Sequence, residues 1–153
     1  MPRSVQLREA FESNYSIYQY RFVEFLVEHL TDVSRQFRGD LQQVLVLALI
    51  GQSYLHGVNA KPQGGNDDNS THGHEVGTIN ASRIADVSGI PRETVRRKLS
   101  ILQERGWVVQ HGRSGWRLVI EGKSSKAKND LKDLDARAVA RVARLVADLE
   151  KLT

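Results

Sequence analysis

The chain of 153 residues contains no cysteine, and this absence excludes several kinds of functional site. Disulfide bonds, thiolate metal sites and cysteine nucleophiles are therefore excluded. The longest uninterrupted apolar run covers residues 44–50, whereas a membrane-spanning helix needs about 20 apolar residues. The start of the chain has no apolar stretch of the length found in signal peptides. We therefore expect a cytoplasmic protein without a membrane partner.

Sequence motifs of the common enzyme classes are also missing. The chain has no glycine-rich phosphate loop with a lysine, no G-x-S-x-G and no H-E-x-x-H. The nearest approach to a metal site is His72 and His74, with carboxylates close by in the sequence. Zinc and nickel sites need preorganised ligands, and these residues lie in a glycine-rich segment. We expect neither an enzyme nor a protein with a metal or cofactor.

The net charge of +4 is unevenly distributed along the chain. Residues 78–123 contain nine Lys/Arg and four Asp/Glu, so this segment alone carries +5. The other residues carry 13 basic and 14 acidic side chains, a net charge of −1. A basic excess confined to one segment indicates contact with a polyanion, and the alternative is a solvated basic face.

Hydrophobic periodicity predicts long helices near both ends of the chain. The first covers residues 14–38, begins at a cap formed by Ser13 and Asn14, and carries apolar side chains at steps of three and four. The last covers residues 130–152, where an apolar spacing of about 3.5 residues is typical of a helix that pairs with another helix. We expect these two helices to join two subunits into a homodimer. The apolar seam of the last helix consists of Leu131, Leu134, Ala138, Val142, Leu145, Leu149 and Leu152.

Three tyrosines of the first helix, Tyr15, Tyr18 and Tyr20, bring hydroxyl groups to an otherwise apolar stripe. The stripe is more typical of a core or a dimer interface than of an effector pocket. Whether a small-molecule effector binds, and which one, stays open.

The middle of the chain alternates between helical and strand patterns. A second helix is predicted over Leu41–His56, capped by Asp40, with its apolar centre in the middle of the core. Residues 57–77 are rich in Gly, Asn, Asp and Ser and are predicted to form a mobile surface loop. Further predicted elements are a strand at 78–79, helices over 81–87 and 91–105, a β-hairpin over 107–120 and a polar linker over 122–129.

The segment between the loop and the hairpin has the residue types of a helix-turn-helix at the required offsets. A small residue, Ala85, lies where the first helix meets the second, and Gly89 follows four residues later, where the turn requires a positive φ. An apolar residue, Ile90, then fills the gap between the helices, and Ile84 and Val87 are expected to face the second helix. The apolar positions of the motif are Ile84, Val87, Ile90, Val95, Leu99 and Leu102.

The outward face of the second motif helix carries the residues that we expect to contact DNA. With Val95 and Leu99 inward, Arg92 and Arg96 lie one turn apart and are the best candidates for reading guanine. Glu93 either accepts from a cytosine amino group or pairs with Arg97. Thr94 lies near the N-terminal end of the helix, and Arg97 and Lys98 are expected at phosphates.

The hairpin and the first motif helix supply further candidate contacts. Arg113 and Ser114 lie at the hairpin tip, between Gly112 and Gly115, where they reach the sugar-phosphate backbone or the minor groove. Ser82 and Arg83 begin the first motif helix and are predicted to hold a phosphate there. Trp107 and Trp116 flank the hairpin and are expected to pack it onto the domain.

The segment IADVSGIPRETVRRKLSILQERGWV resembles the DNA-reading part of winged-helix bacterial transcription regulators. Its second half, RETVRRKLSILQERGWV, is similar to the C-terminal domain of the Crp/Fnr regulators, where the corresponding Arg-Glu-Thr-Val run opens the recognition helix. This resemblance implies base contacts by Arg92, Glu93 and Arg96. The layout as a whole, with helices on both sides, resembles the MarR family, which dimerises through its terminal helices.

The sequence therefore predicts a mainly α fold with a small β-wing: a winged helix-turn-helix over residues 39–121, flanked by dimerisation helices at 14–38 and 130–152 in one domain. The predicted function is a sequence-specific transcriptional regulator, a repressor in the simplest case, that binds double-stranded DNA as a homodimer. The alternatives are a plasmid replication or partition protein, and a winged-helix module that binds protein rather than DNA.

Overall fold

In the computed structural model, which describes residues 1–59 and 77–153, helices dominate and the strands are short and antiparallel. This confirms the prediction of a mainly α fold with a small β component. Two units are formed: a terminal unit of Met1–Gly39 and Leu131–Thr153, and a central unit of Asp40–Asp130. The helices are α1 (Arg3–Ser13), α2 (Tyr15–Gln36), α3 (Leu41–Asn59), α4 (Ala81–Ser88), α5 (Arg92–Glu104), α6 (Lys126–Asp130) and α7 (Lys132–Glu150). The strands are β1 (Ile79–Asn80), β2 (Val108–His111), β3 (Gly115–Leu118), β4 (Ile120–Glu121) and β5 (Ser124–Ser125).

In the terminal unit, α2 and α7 pack against each other in opposite directions and are joined by ion pairs. Asp32 accepts hydrogen bonds from Arg137 Nε at 2.8 Å and from Arg141 at 2.6 Å. Glu28 pairs with Arg144 one turn earlier on α2. The Arg137 hydrogen bond, strengthened by Arg141, holds the pKa of Asp32 well below its ordinary value, although partial burial opposes the shift. The carboxylate is therefore charged and fixes the register of the two helices.

Two details of the terminal helices differ from the sequence prediction. A separate helix, α1, precedes the predicted one, and Asn14 marks the break between them: its side chain donates to the Ala10 carbonyl at 2.9 Å instead of capping α2. Helix α1 buries none of its residues, which is why apolar spacing gave no sign of it. In α7, Val142 is 47% exposed, while the side chain of Arg141 is only 11% exposed. Within one chain, Arg141 rather than Val142 therefore lies in the α2–α7 contact, and the role of the seam in joining two subunits stays a prediction.

The core of the central unit lies where α3, α4 and α5 meet. Val46 and Ile50 of α3 are fully buried, and so are Ile84 of α4 and Val95 of α5. Asp40 caps α3 as predicted, since its Oδ1 accepts from the Gln43 backbone N–H at 2.9 Å. The helix was expected to be buried on all sides and to end at His56. Instead it buries one face, leaves residues such as Leu45 exposed, and continues to Asn59.

The predicted hairpin is present and belongs to a three-stranded sheet of order β1-β3-β2. Val108 pairs with Leu118 and Gln110 with Trp116, and β1 adds on the other side of β3. Gly115 is required at the turn because a Cβ there would lie 2.7 Å from the His111 carbonyl oxygen. The hairpin tip is thus fixed by close backbone packing.

Residues 122–129 are not the predicted linker. Strands β4 and β5 form a second small sheet, and α6 follows at once. Ser125 is buried, and its hydroxyl accepts from the Lys128 backbone N–H at 3.1 Å, which caps α6. Capping by small polar residues leaves little apolar pattern, so composition alone suggested a linker.

The predicted mobile loop lies mostly outside the described residues. Positions 57–59 end α3 and Gly77 precedes β1, while residues 60–76, including His72 and His74, are not described.

Candidate nucleic-acid interface

Helices α4 and α5 are held at a fixed angle by a short turn. Asn80 caps α4, because its side-chain oxygen accepts from the Arg83 backbone N–H at 2.8 Å. Gly89 ends α4 in the left-handed region, with φ of +73°, and its N–H bonds to the Ala85 carbonyl at 2.9 Å. The Ser88 hydroxyl accepts from the Ile90 N–H at 3.2 Å and closes the turn. The sequence places glycine at the position whose φ only glycine adopts without cost.

The buried face of α5 holds the helix against the core. Val95, Leu99 and Leu102 are all buried, as their spacing of four and three predicts. Ile90 is buried beside them and fills the gap after the turn. Val87, which was expected to face these residues, is 51% exposed, so this prediction was wrong. Val87 is the seventh of the eight residues of α4 and therefore lies at the end of the helix.

The opposite face of α5 turns toward a concave surface shared with the hairpin. Arg92 and Arg96 line this surface together with Ser82 at the start of α4 and with Arg113 and Ser114 of the hairpin tip. The structure thus brings five of the predicted contact residues to one place. A neighbouring concavity adds Arg83 and shares Arg113 and Ser114.

The charge of this surface has one sign. The described residues that line the two concavities include four arginines and no aspartate or glutamate. Focusing of the field in a concave basic surface favours an anionic partner. The four arginines are Arg83, Arg92, Arg96 and Arg113.

The remaining predicted residues of α5 differ in their partners. Glu93 pairs with Arg96, with 3.2 Å between Oε1 and Nη1, rather than with Arg97 as one reading of the sequence had it. Arg97 donates instead to the Thr94 hydroxyl at 3.1 Å. Both pairs are exposed, so each arginine can exchange its partner for a ligand at small cost.

Lys98 does not lie on the concave surface. Its ammonium group donates to Asp40 at 2.8 Å, and its side chain is 19% exposed. Partial burial alone would raise the pKa of Asp40, but hydrogen bonds from Lys98 and from the Gln43 backbone outweigh it and lower the pKa. Lys98 therefore joins α5 to the start of α3 and is unsuited to the phosphate contact predicted for it.

Trp107 anchors the start of the hairpin, as predicted. The ring is buried, its Nε1 donates to Asp130 at 2.8 Å, and the Arg105 guanidinium lies 3.6 Å from its centroid. The Trp107 hydrogen bond, followed by that of Lys126, lowers the pKa of Asp130. Arg105 donates in turn to Gln43 of α3 at 2.8 Å. Helices α3 and α6 thus both support the base of the hairpin.

Trp116 differs from Trp107, since it is half-buried and lines the concave surface. Gln110, its cross-strand partner, lines the same surface and donates to the Arg113 carbonyl at 3.3 Å. Asn80 and Ser100 also lie there, and none of these four was predicted as a site residue. The alternation of side chains along the hairpin was the signal that would have placed Gln110 and Trp116 on one face.

Comparison with protein-family models, curated proteins and solved structures finds no match to the chain. Within residues 1–59 and 77–153, His, Asp and Glu side chains form no group of three suited to a metal ion. The same residues include no helix that is both long and apolar enough to cross a membrane.

Proposed function

We propose that the protein is a sequence-specific DNA-binding transcriptional regulator, most simply a repressor, that uses a winged helix-turn-helix and acts as a homodimer. The observation that carries this proposal is the concave surface on which Arg92, Arg96 and Arg113 converge without an acidic side chain in its lining. Duplex DNA offers such a surface both phosphates and the acceptor atoms of guanine.

Helix α5 is the element suited to the major groove, which is about 12 Å wide and admits one α-helix. Its inward side is anchored by Val95 and Leu99, so its outward side is held in a defined orientation. Arg92 and Arg96 are exposed there, one turn apart. They are proposed to read guanine by paired hydrogen bonds and so to supply specificity.

The surrounding groups suit the DNA backbone. Arg113 and Ser114 at the hairpin tip, and Ser82 and Arg83 at the start of α4, flank α5 on the concave side. Contacts of this kind position a protein on the duplex and give most of the affinity, without reading sequence. Arg97 is proposed to join them, because its side chain is exposed and its hydrogen bond to the Thr94 hydroxyl is one that a phosphate can replace.

The test is selection of bound sites from random duplex DNA, followed by affinity measurements on the selected site. Arg96→Ala is expected to weaken binding by about 1–3 kcal/mol and to relax one base position, because a bidentate guanine contact is lost. Arg8→Ala is the matched control, since Arg8 is exposed on α1, where it pairs with Glu12. Equal affinity of the Arg96→Ala variant and the control for the selected site contradicts the assignment.

Arg113→Ala separates backbone contact from base reading. It is expected to weaken binding evenly across sequences and to reduce the slope of log affinity against log salt by about one. An effect restricted to one base pair contradicts the backbone role. Failure to select any duplex site, with binding that does not depend on salt, contradicts DNA binding itself.

A further inference from the structure

His29 lies on the side of α2 that faces α7, next to the ion pairs that join these two helices. Its imidazole is half-buried and stacks on the ring of Phe25, with 5.5 Å between the ring centroids. The Nδ1 atom of His29 lies 3.5 Å from Nη2 of Arg141, at the outer limit of a hydrogen bond. The histidine is thus part of the contact between α2 and α7.

The contact with Arg141 determines which form of the imidazole fits. An arginine side chain carries five N–H donors and no acceptor, so Nδ1 of His29 can only accept from it. Nδ1 must therefore present its lone pair, and the imidazole is neutral with its proton on Nε2. Protonation would replace this lone pair by a second N–H, which Arg141 has no atom to accept.

Arg141 has little freedom to move away from His29. Its side chain is 11% exposed, and its Nη2 donates to Asp32 at 2.6 Å. Its Nε is buried and has no hydrogen-bond partner among the residues that the structure describes. A buried cation that already lacks one partner depends strongly on those it has. A positive charge on His29 would repel Arg141 at short range, where water screens the repulsion only weakly.

The charges around His29 favour its neutral form. The one carboxylate that attracts a charged imidazole here, Asp32, already accepts hydrogen bonds from Arg137 and Arg141. Burial, followed by the charge of Arg141, lowers the pKa of His29, and the attraction of Asp32 does not offset these effects. The imidazole is therefore neutral at pH 7 and becomes charged in mild acid. The charged side chains that join the two helices at this level are Glu28, Asp32, Arg137, Arg141 and Arg144.

We propose that His29 is a pH-sensitive switch in the terminal unit: its neutral imidazole completes the contact between α2 and α7, and its protonation loosens that contact. Because the folded chain disfavours the charged form, the contribution of His29 to stability is complete above the ordinary pKa of 6.5 and is lost as the pH falls through the lower folded pKa. The pKa of Asp32 is lowered from 3.8, so this carboxylate stays charged throughout that range. The switch goes beyond the proposed function and does not depend on DNA binding.

The first test is the urea midpoint of the full chain, measured by circular dichroism between about pH 7.5 and about pH 5. The wild-type midpoint is expected to fall as the pH is lowered. His29→Gln keeps an oxygen that can accept from Arg141 but does not titrate, so its midpoint is expected to change much less. His56→Gln is the control, because His56 is an exposed histidine near the end of α3, and its slope is expected to match wild type. Equal slopes for wild type and His29→Gln overturn the inference.

The second test follows the protonation of His29 directly, through the NMR chemical shifts of imidazole carbons and hydrogens against pH. The signal of His29 is the one that is absent from His29→Gln. It is expected to titrate below pH 6.5 in wild type and closer to 6.5 in Arg141→Gln, because the nearby cation is gone. Arg8→Gln is the control, since Arg8 is exposed on α1.

Two outcomes of the NMR titration contradict the switch. The same midpoint in wild type and in Arg141→Gln would show that Arg141 does not act on His29. If Arg141→Gln does not fold, the wild-type titration decides alone, since a midpoint at or above the ordinary value of 6.5 overturns the inference.

Discussion

The central unit and the terminal unit differ in how they bury their apolar side chains. Within residues 1–59 and 77–153, fourteen apolar residues are buried, of which eleven lie in the central unit and three in the terminal unit. The central unit thus has its own core behind the concave basic surface, whereas the terminal helices are joined largely by ion pairs and keep an apolar side exposed. In the proposed function, the unit with the buried core holds the DNA-reading helix α5 in place.

The largest expected effect comes from truncating the core of the central unit. Leu102 is 0% exposed, so Leu102→Ala is expected to reduce the free energy of unfolding by about 2–5 kcal/mol through lost contacts and a cavity. Val139→Ala in the terminal unit is expected to change it by less than about 0.5 kcal/mol in dilute protein, since this side chain is exposed. Urea unfolding measures both. Equal losses would mean that the difference in burial does not reflect a difference in stability.

A smaller effect is expected where α3 and α5 are joined by Asp40. Asp40→Ala removes the cap of α3 and the partner of Lys98, and is expected to cost about 1–3 kcal/mol in urea unfolding. Glu104→Ala is the control, because Glu104 is an exposed acid at the end of α5.

Lys98→Gln is expected to leave DNA affinity nearly unchanged. A large loss of DNA affinity in the Lys98→Gln variant would show that Lys98 does contact DNA.

Asp32 of the terminal unit is expected to make the stability of the protein depend on pH. Its pKa is lowered in the folded chain, so its contribution is complete above the ordinary value of 3.8 and is lost as the pH falls through the folded pKa. Asp32→Asn is therefore expected to flatten the loss of stability between about pH 4 and about pH 2. Urea midpoints across this range measure it, with Glu12→Gln as an exposed control. Identical curves for wild type and Asp32→Asn would contradict the role of this carboxylate.

The smallest expected effect concerns Glu93, which lies beside the DNA-reading surface. Glu93→Gln removes the exposed pair with Arg96, and a pair of this kind contributes about 0.2–1 kcal/mol. Because Arg96 is then free before binding, affinity for the selected site is expected to rise by roughly two- to fivefold. Fluorescence anisotropy measures it. A fall in affinity confined to sites with one G·C pair would instead show that Glu93 accepts from a cytosine amino group.

Local sequence patterns correctly predicted the elements that are determined by residues close together in the chain. Gly89 and the spacing of Val95, Leu99 and Leu102 determine the turn and the buried side of α5, so the exposed arginines followed from them. The hairpin followed from two β-prone runs about a glycine-bracketed turn. The predictions failed where a distant partner decides the outcome: Lys98 pairs with Asp40, 58 residues away in the chain.

The remaining failures have a similar origin. Arg141 lies in the α2–α7 contact of one chain because it pairs with Asp32, and this pairing cannot be read from the spacing of α7 alone. Ser125 is buried because its hydroxyl caps α6, and a buried capping serine looks like a linker residue in composition. Gln110 was not predicted as a site residue and Trp116 was predicted only to pack the hairpin onto the domain, although the strand pairing places both on the concave surface.

The intrinsic fluorescence of the two tryptophans can report on both folding and binding. Trp107 is enclosed, with its indole nitrogen bonded to Asp130, whereas Trp116 is half-buried beside Gln110 on the concave surface. Emission from Trp107 will thus follow unfolding of the central unit, and emission from Trp116 will respond to whatever occupies the surface. Replacing either ring by phenylalanine would separate the two signals, so that folding and ligand occupancy can be followed in a single unlabelled sample.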